Sequence, residues 1–290
     1  MVGAAESAPL AFAAMSGFLV VNPRAGTERP SAEELVEAAR EHGIRTHVLR
    51  EGEDPAELAR AAADASALGT AGGDGSLGPV AAVALERDLP FVCIPFGTYN
   101  HFAWDAGIDR DDPLGALDAF GGEERRVDVG RLGDGRVFLN TVSFGLYAAL
   151  VAEEDRVGSR LRALLRRVVR GGHVRLRIDG EPVTARIVVV GNNVYSLHPL
   201  ELGSRPRIDG GILHLGIARG LLPRSWEERC AARFTIEADV PSLDVAIDGE
   251  SVRLRPPVEL RVEPRALRML VPKRREDVGD GAEGELLRPG

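Results

Sequence analysis

The chain has 290 residues, 44% of them hydrophobic, and a formal net charge of −8 at pH 7. That length accommodates one large domain or two ordinary ones. The acidic balance argues against broad nucleic-acid binding, and no apolar run approaches the ~20 residues of a membrane-spanning helix. Residues 1–16 are Ala-rich, lack a basic start and carry Glu6, a poor signal peptide; they read as a disordered leader, with Met15 as a second candidate start.

Gly17–Val21 predicts a buried strand, broken by Asn22-Pro23-Arg24-Ala25-Gly26. A helix follows, with Ser31 and Glu34 spaced as a capping box and Gly43 as its stop. Ile44–Leu49 reads as a strand, and Asp54-Pro55 with Glu57 opens the next helix. A short apolar run around Leu68 leads into Gly72-Gly73-Asp74-Gly75-Ser76, and the Ala-rich stretch Leu77–Leu85 is helical in composition. Phe91–Pro95 is another short, wholly apolar strand. This alternation predicts a parallel sheet with helices on both faces, a Rossmann-like α/β domain over residues 17–127.

From Asp128 strands dominate, at 136–144, 174–178, 183–190, 212–218, 231–238, 243–247, 252–254, 258–262 and 267–271. Asp-Gly pairs at 134–135, 179–180 and 248–249 are preferred hairpin turns. The second half, 128–271, is therefore expected to be an antiparallel β-sandwich or open barrel, with a flexible tail over 272–290. One helix interrupts it: Ser159–Arg170 pairs an apolar stripe with five arginines, which suits either packing on the β domain or lying on an anionic membrane. Cys93 and Cys230 lie in apolar runs without zinc-ligand spacing, so they read as buried thiols of a reducing, cytoplasmic setting.

The glycine cluster at 72–76 sits where a strand meets a helix start. Glycine admits a large anion close to the backbone, and a helix start contributes free N–H groups and the positive end of a dipole. Asp74 would repel phosphate there unless a cation lay between them, so the segment implies Mg²⁺ with a phosphate ligand. Asn22–Gly26 and Pro95-Phe96-Gly97-Thr98-Tyr99-Asn100-His101-Phe102-Ala103 follow neighbouring strands at the same sheet edge, where open α/β sheets bind ligands. The tetrapeptide Ile-Asp-Gly-Glu occurs twice, at 178–181 and 247–250, and nothing local distinguishes the two copies.

Taken together, Asn22-Pro23-x-x-Gly26, Gly72-Gly73-Asp74-Gly75-Ser76, Pro95-x-Gly97-Thr98-x-Asn100-x-Phe102-Ala103 and Asp209-Gly210-Gly211-x-Leu213 resemble the diacylglycerol kinase catalytic-domain family. That family includes bacterial lipid kinases and sphingosine kinases, and it shares the glycine–aspartate segment with NAD kinases and phosphofructokinases. The resemblance implies transfer of the γ-phosphate of ATP to a lipid hydroxyl, with the site in a cleft between an α/β domain and a β-rich domain. It puts ATP contacts on Asn22, Pro23, Arg24, Ala25, Gly26, Gly72, Gly73, Asp74, Gly75, Ser76, Leu77, Gly78, Thr98 and Asn100. It puts a carbonyl-rich metal site around Asp209, with backbone oxygens near Pro206 and Gly211, besides Mg²⁺ at Asp74. The general base falls on Glu250, with Asp248 beside it and Asp74 as the fallback; Asp128, Asn140 and Gly145 match further family positions. Ser76 in place of Thr, His101 in place of Asp and Leu49 in place of Thr depart from the pattern. The implied partners are ATP, Mg²⁺ and a lipid met by peripheral contact with the inner membrane face; a homodimer is compatible with the sequence. A kinase of a soluble acceptor such as NAD, and a non-catalytic ATP- or membrane-binding homologue, are the alternatives.

Overall fold

The computed structural model describes residues 16–25, 30–145, 173–196, 205–220 and 226–273. The expected leader, most of the expected tail, Gly26 and the basic helix at 159–170 lie outside them.

The first half follows its sequence signals closely. After β1 (Gly17–Val21) comes α1 (Ala32–Glu41), whose capping box is complete: Ser31 Oγ accepts the Glu34 N–H at 3.2 Å, and Glu34 accepts the Ser31 N–H at 2.7 Å. Next are β2 (Arg45–Val48), α2 (Pro55–Ala61), capped by Asp54, and β3 (Ala67–Gly72). α3 (Asp74–Glu86) begins three residues earlier than the Ala-rich run implied, because Gly73 takes the extended N-cap conformation. β4 (Phe91–Pro95) and the short α4 (His101–Asp105) follow, then a 3₁₀ segment at Gly115–Gly121. β2, β1, β3 and β4 pair in that order, all parallel.

β5 (Glu123–Leu132) was not legible as a strand, since four charged residues, Glu123–Arg126, fill its first part. It runs through residue 128 without a break. β6 (Val137–Phe138) and β7 (Thr141–Gly145) replace the single strand expected at 136–144. β8 (Val174–Ile178) and β9 (Glu181–Ala185) form a hairpin, and β10 (Ile187–Asn192) and β11 (Leu213–Ala218) form a second antiparallel pair. β12 (Glu227–Ala231), β13 (Arg233–Glu237), β14 (Leu243–Ile247), β15 (Glu250–Leu254) and β16 (Val258–Val271) complete the order.

The stretch read as one strand at 183–190 turns a corner; the one read at 231–238 is β13 with only Ala231 of β12, a strand whose charged residues Glu227–Arg229 conceal it in the sequence. β9 lies in the first sheet and β10 in the second, with Arg186 between; β12 lies in the second and β13 in the first, with Ala232 between. Such corners let one chain supply both layers of a sandwich. The opposite holds for 258–262 and 267–271, which are one strand carrying a bulge between Glu263 and Leu267. Cys93 is buried, but Cys230 is exposed, because β12 is an edge strand whose alternate side chains face outward.

Among the described residues the first sheet has ten strands and the second six, ordered β12-β11-β10-β7-β14-β15. β16 joins the two halves: near its C-terminus it runs parallel to β4, while its first residues pair antiparallel with β13, and β5 lies along it throughout. One core packs the helices on the parallel strands, and a second lies between the sheets, around Phe138, Phe144, Val190 and Leu260. Leu267 is fully buried in the first core just after the bulge, where β16 enters the parallel part. Leu267→Ala is expected to destabilise the protein by about 2–5 kcal/mol, read as a lower urea midpoint with an unchanged slope.

Candidate active site

The carboxyl ends of β1, β3 and β4 meet at one edge, as parallel neighbours must. Asn22, immediately after β1, bridges to the third strand's loop: its Nδ2 donates to Ser76 Oγ at 3.0 Å, while its Oδ1 accepts the Arg24 N–H at 3.1 Å. Pro23 and Arg24 are exposed in the turn that follows, and Ala25 closes it through a 3.2 Å bond to the Asn22 carbonyl. Gly73 and Gly97 pass so closely that a Cβ on Gly97 would lie 2.3 Å from Gly73 Cα. Only glycine allows that approach, and it brings the β3 and β4 loops into one concave backbone surface at the start of α3. Thr98 stands exposed on that surface.

Asp74 occupies the first helical position of α3. Its Oδ1 accepts the Phe102 N–H at 2.9 Å and Asn140 Nδ2 at 3.0 Å; its Oδ2 accepts the His101 N–H at 3.1 Å. A carboxylate offers about four lone-pair directions, so Asp74 retains one on Oδ2 for a further partner. Asn100 is committed elsewhere: in the left-handed conformation (φ 51°), it accepts from Gly97 N and donates to Gly97 O, both at 2.8 Å. Leu77 and Gly78 need correcting as nucleotide contacts. Leu77 is buried in the first core, and a Cβ on Gly78 would meet the Val137 carbonyl at 3.0 Å. Once α3 starts at Asp74, one turn of helix turns both residues inward.

The two Ile-Asp-Gly-Glu copies separate clearly. Both make turns with two positive φ angles, 51° and 84° at 179–180, 48° and 90° at 248–249. The first copy joins β8 to β9, where Asp179 Oδ1 accepts the Thr235 N–H at 2.8 Å and Glu181 is exposed. The second brings Glu250 against α3: a Cβ on Gly75 would lie 2.4 Å from Glu250 Cγ and 2.7 Å from its Oε1. Gly75 is thus the seat on which an acid from the second sheet rests beside Asp74. Glu250 is largely solvent-exposed, so burial falls on its neighbour. Asp248 receives the N–H groups of Leu139, Asn140 and Thr141, each at 2.8 Å. These three bonds explain why β6 and β7 are separate: the backbone at 139–140 points at a carboxylate instead of a neighbouring strand. Burial pushes the Asp248 carboxyl up to about 7, the three backbone donors opposing it and the charge of Asp74 adding to it.

Asp128 anchors the Asp209 segment. It is 1% exposed, its Oδ1 accepts the Arg265 N–H at 2.7 Å, and its Oδ2 accepts from Gly211 N. Asp209 faces Arg207 and Arg265, at 3.1 and 3.2 Å. Partial burial raises its carboxyl, but hydrogen bonds and charge from the two arginines hold it below the usual range. Among the described residues no three His, Cys, Asp or Glu side chains gather as a metal site. The Asp209 carboxylate is matched to guanidinium groups, and the Asp74 oxygen is the better fit for a cation.

One residue escaped sequence reasoning altogether. The Arg205 side chain is fully buried and ion-paired to Asp105 at 2.8 Å. It also donates to the carbonyls of Leu139 (2.7 Å) and Asn192 (2.9 Å) and to Asn140 Oδ1 (3.2 Å), with its guanidinium 5.0 Å from the centre of the Tyr195 ring. Nothing around position 205 in the sequence sets it apart from the chain's many surface arginines. A cavity of about 530 Å³ opens beside it, bounded also by Trp104, Asp105, Val194, Tyr195 and Pro206.

Comparison with known proteins places these features in context. A family model described as the diacylglycerol kinase catalytic domain matches residues 16–132. A protein of Klebsiella pneumoniae named "Probable lipid kinase YegS-like" is 27% identical over 81% of this chain and 83% of its own length. A protein of the same name from Cronobacter sakazakii is 30% identical over 72% of this chain and 74% of its own. A crystal structure titled as a diacylglycerol kinase of Bacillus anthracis covers 89% of this chain and 97% of that one, with a TM-score of 0.67 and 21% identity, a likeness of fold.

Asp248 has a consequence for pH. Its folded value, about 7, exceeds the ordinary 3.8, so its contribution to stability is complete below 3.8 and is lost as pH rises through 7. Asp248→Asn removes that titration and presents an amide N–H₂ to a backbone donor. The melting temperature of the unsubstituted protein should exceed that of Asp248→Asn by more at pH 5 than at pH 8; a gap that widens with pH would contradict the shift.

Proposed function

Because the chain belongs to the diacylglycerol kinase catalytic-domain family, we propose that it transfers the γ-phosphate of ATP to the hydroxyl of a lipid. The observation that carries this reading is the contact of Glu250 with Gly75, which sets an acid from one sheet on the anion-binding edge of the other. Phosphoryl transfer asks the protein for positioning, charge neutralisation and a proton acceptor, and the residues divide accordingly. The backbone of Gly72, Gly73, Gly97 and Thr98 and the first turn of α3 hold the triphosphate, with Asn22 and Ser76 keeping the β1 loop in register. Asp74 would hold Mg²⁺ through its remaining Oδ2 lone pair, and that ion supplies charge neutralisation when bound. Glu250 accepts the proton of the lipid hydroxyl as the hydroxyl oxygen attacks the γ-phosphorus and ADP leaves. Asp248 holds the turn that aims Glu250. The paired arginines make Asp209 a loop-fixing residue in this reading, so a second cation near Pro206 and Gly211 forms no part of it.

We assign ATP binding to residues 17–127 and acceptor binding to residues 128–271, with α4 contributing to both. A lipid acceptor is favoured over NAD by the apolar rim of the cavity beside Asp74's neighbours, where Trp104 is 59% and Val194 43% exposed. A lipid acceptor would be met at the bilayer surface; among the described residues no helix is long and apolar enough to cross a membrane.

Glu250→Gln is expected to lower kcat about 10²–10⁴-fold, the usual worth of general base catalysis, with KM for MgATP within about twofold. Turnover on lipid vesicles with labelled ATP reads both; an unimpaired kcat would remove Glu250 as the base. Asp74→Asn should instead raise KM for MgATP and lower kcat together, with binding followed by calorimetry at fixed Mg²⁺.

A further inference from the structure

The cavity beside α4 has its own chemistry. At about 530 Å³ it lies within the range of small-ligand sites. Its mouth is formed by the exposed Trp104, whose ring lies 5.1 Å from the Arg110 guanidinium, and Val194, whereas its inner wall carries charge: the side chains of Asp105 and Arg205 are 4% and 0% exposed. Arg205 directs four hydrogen bonds into the protein, to Asp105, Leu139, Asn192 and Asn140. Among the described residues Asp105 accepts one, through Oδ2 from Arg205 Nε. A carboxylate can accept about four, so the wall has accepting capacity to spare, beside the Ser196 hydroxyl and the Trp104 indole N–H that also line the cavity. Its natural complement is a hydroxyl. A phosphate-bearing head would bring acceptors and negative charge towards Asp105 with Asp74 and Asp248 nearby, and the charges of all three acids already reach the Tyr195 phenol.

The cavity is also close to the chemistry. α4 gives its first two N–H groups to Asp74 and ends on Asp105. Asn140 joins the two places directly, bonding Asp74 through Nδ2 and Arg205 through Oδ1. A group in the cavity is thus one side chain away from Asp74.

We propose that this cavity receives the head of the acceptor, and that Asp105 selects an uncharged lipid with two free hydroxyls by accepting a hydrogen bond from the one that does not react. This rests on the lipid-kinase reading and narrows its substrate class. Arg205 holds the Asp105 carboxylate in place, and Trp104 and Val194 cover the first methylenes of the chain.

The test uses the full chain with ATP and Mg²⁺ and measures phosphate transfer to monoacylglycerol, diacylglycerol or phosphatidylglycerol, each in phosphatidylcholine vesicles. The expected kcat/KM for monoacylglycerol exceeds that for diacylglycerol by about tenfold or more, as one hydrogen bond to a charged group allows, and phosphatidylglycerol is poorest. Asp105→Asn should bring the first two to within about twofold, chiefly through KM. Since that variant disturbs a buried pair, Val194→Lys at the exposed mouth is a second probe, expected to raise phosphatidylglycerol several-fold relative to monoacylglycerol. A ratio near one or a preference for phosphatidylglycerol in the unsubstituted protein, or preferences unmoved in both variants, would overturn the assignment while leaving a lipid kinase. Bound ATP with transfer to none of the lipids would remove both.

Discussion

Three N–H groups from two distant parts of the chain converge on the Asp74 carboxylate, and the geometry of the candidate site depends on that convergence. His101 and Phe102 contribute the free donors at the start of α4, and Asn140 contributes its amide from the break between β6 and β7. Hydrogen bonds to an ionised group are stronger than neutral ones, and donors at a helix start favour negative charge. One short side chain therefore ties the glycine segment, the loop after β4 and the β-rich half together, while keeping an oxygen lone pair for a ligand.

Two other buried acids do related work. Asp248 collects three N–H groups from 139–141, and Asp128 collects those of Gly211 and of Arg265 in the β16 bulge. In each case the backbone has left a strand ladder, and a freed, buried N–H must find another acceptor. The irregular segments around the site are thus held as firmly as the strands they interrupt. Glu250 gains a defined position from this: its turn is clamped by Asp248, and its exposed side chain rests on Gly75. The Arg205–Asp105 pair extends the same logic to the cavity wall, where the desolvation of each charge is offset by the other and by carbonyl acceptors.

Local signals were legible wherever chemistry and geometry lie within a few residues. The Ser31–Glu34 capping box, the Asp54 cap, the strand Phe91–Pro95 and the Asp-Gly turns at 179–180 and 248–249 all follow from short-range rules, and the structure realises each. The glycine segment, the Asn22 loop and the Gly97 loop were likewise found as one sheet edge. Illegible were the features set by distant partners. β5 hides behind its charged first residues because β16 supplies its pairing. The corner at Arg186 looks like a continuous strand because both sides carry core residues, whereas β12 hides behind Glu227, Glu228 and Arg229.

The sequence by itself determined the parallel α/β half, the β-rich second half and the sheet edge at which the Asn22, Gly72–Ser76 and Gly97 loops meet, since helix caps, glycines and strand periodicity act over a few residues. Only the tertiary structure showed what sets the second Ile-Asp-Gly-Glu copy, to which the family resemblance pointed, against that edge, that Leu77 and Gly78 turn inward, and that Arg205 and Asp105 form a cavity wall. The physical reason is the same for all three. Identical or unremarkable residues acquire a role from what is packed against them, and that packing is fixed by strands whose partners lie far away along the chain.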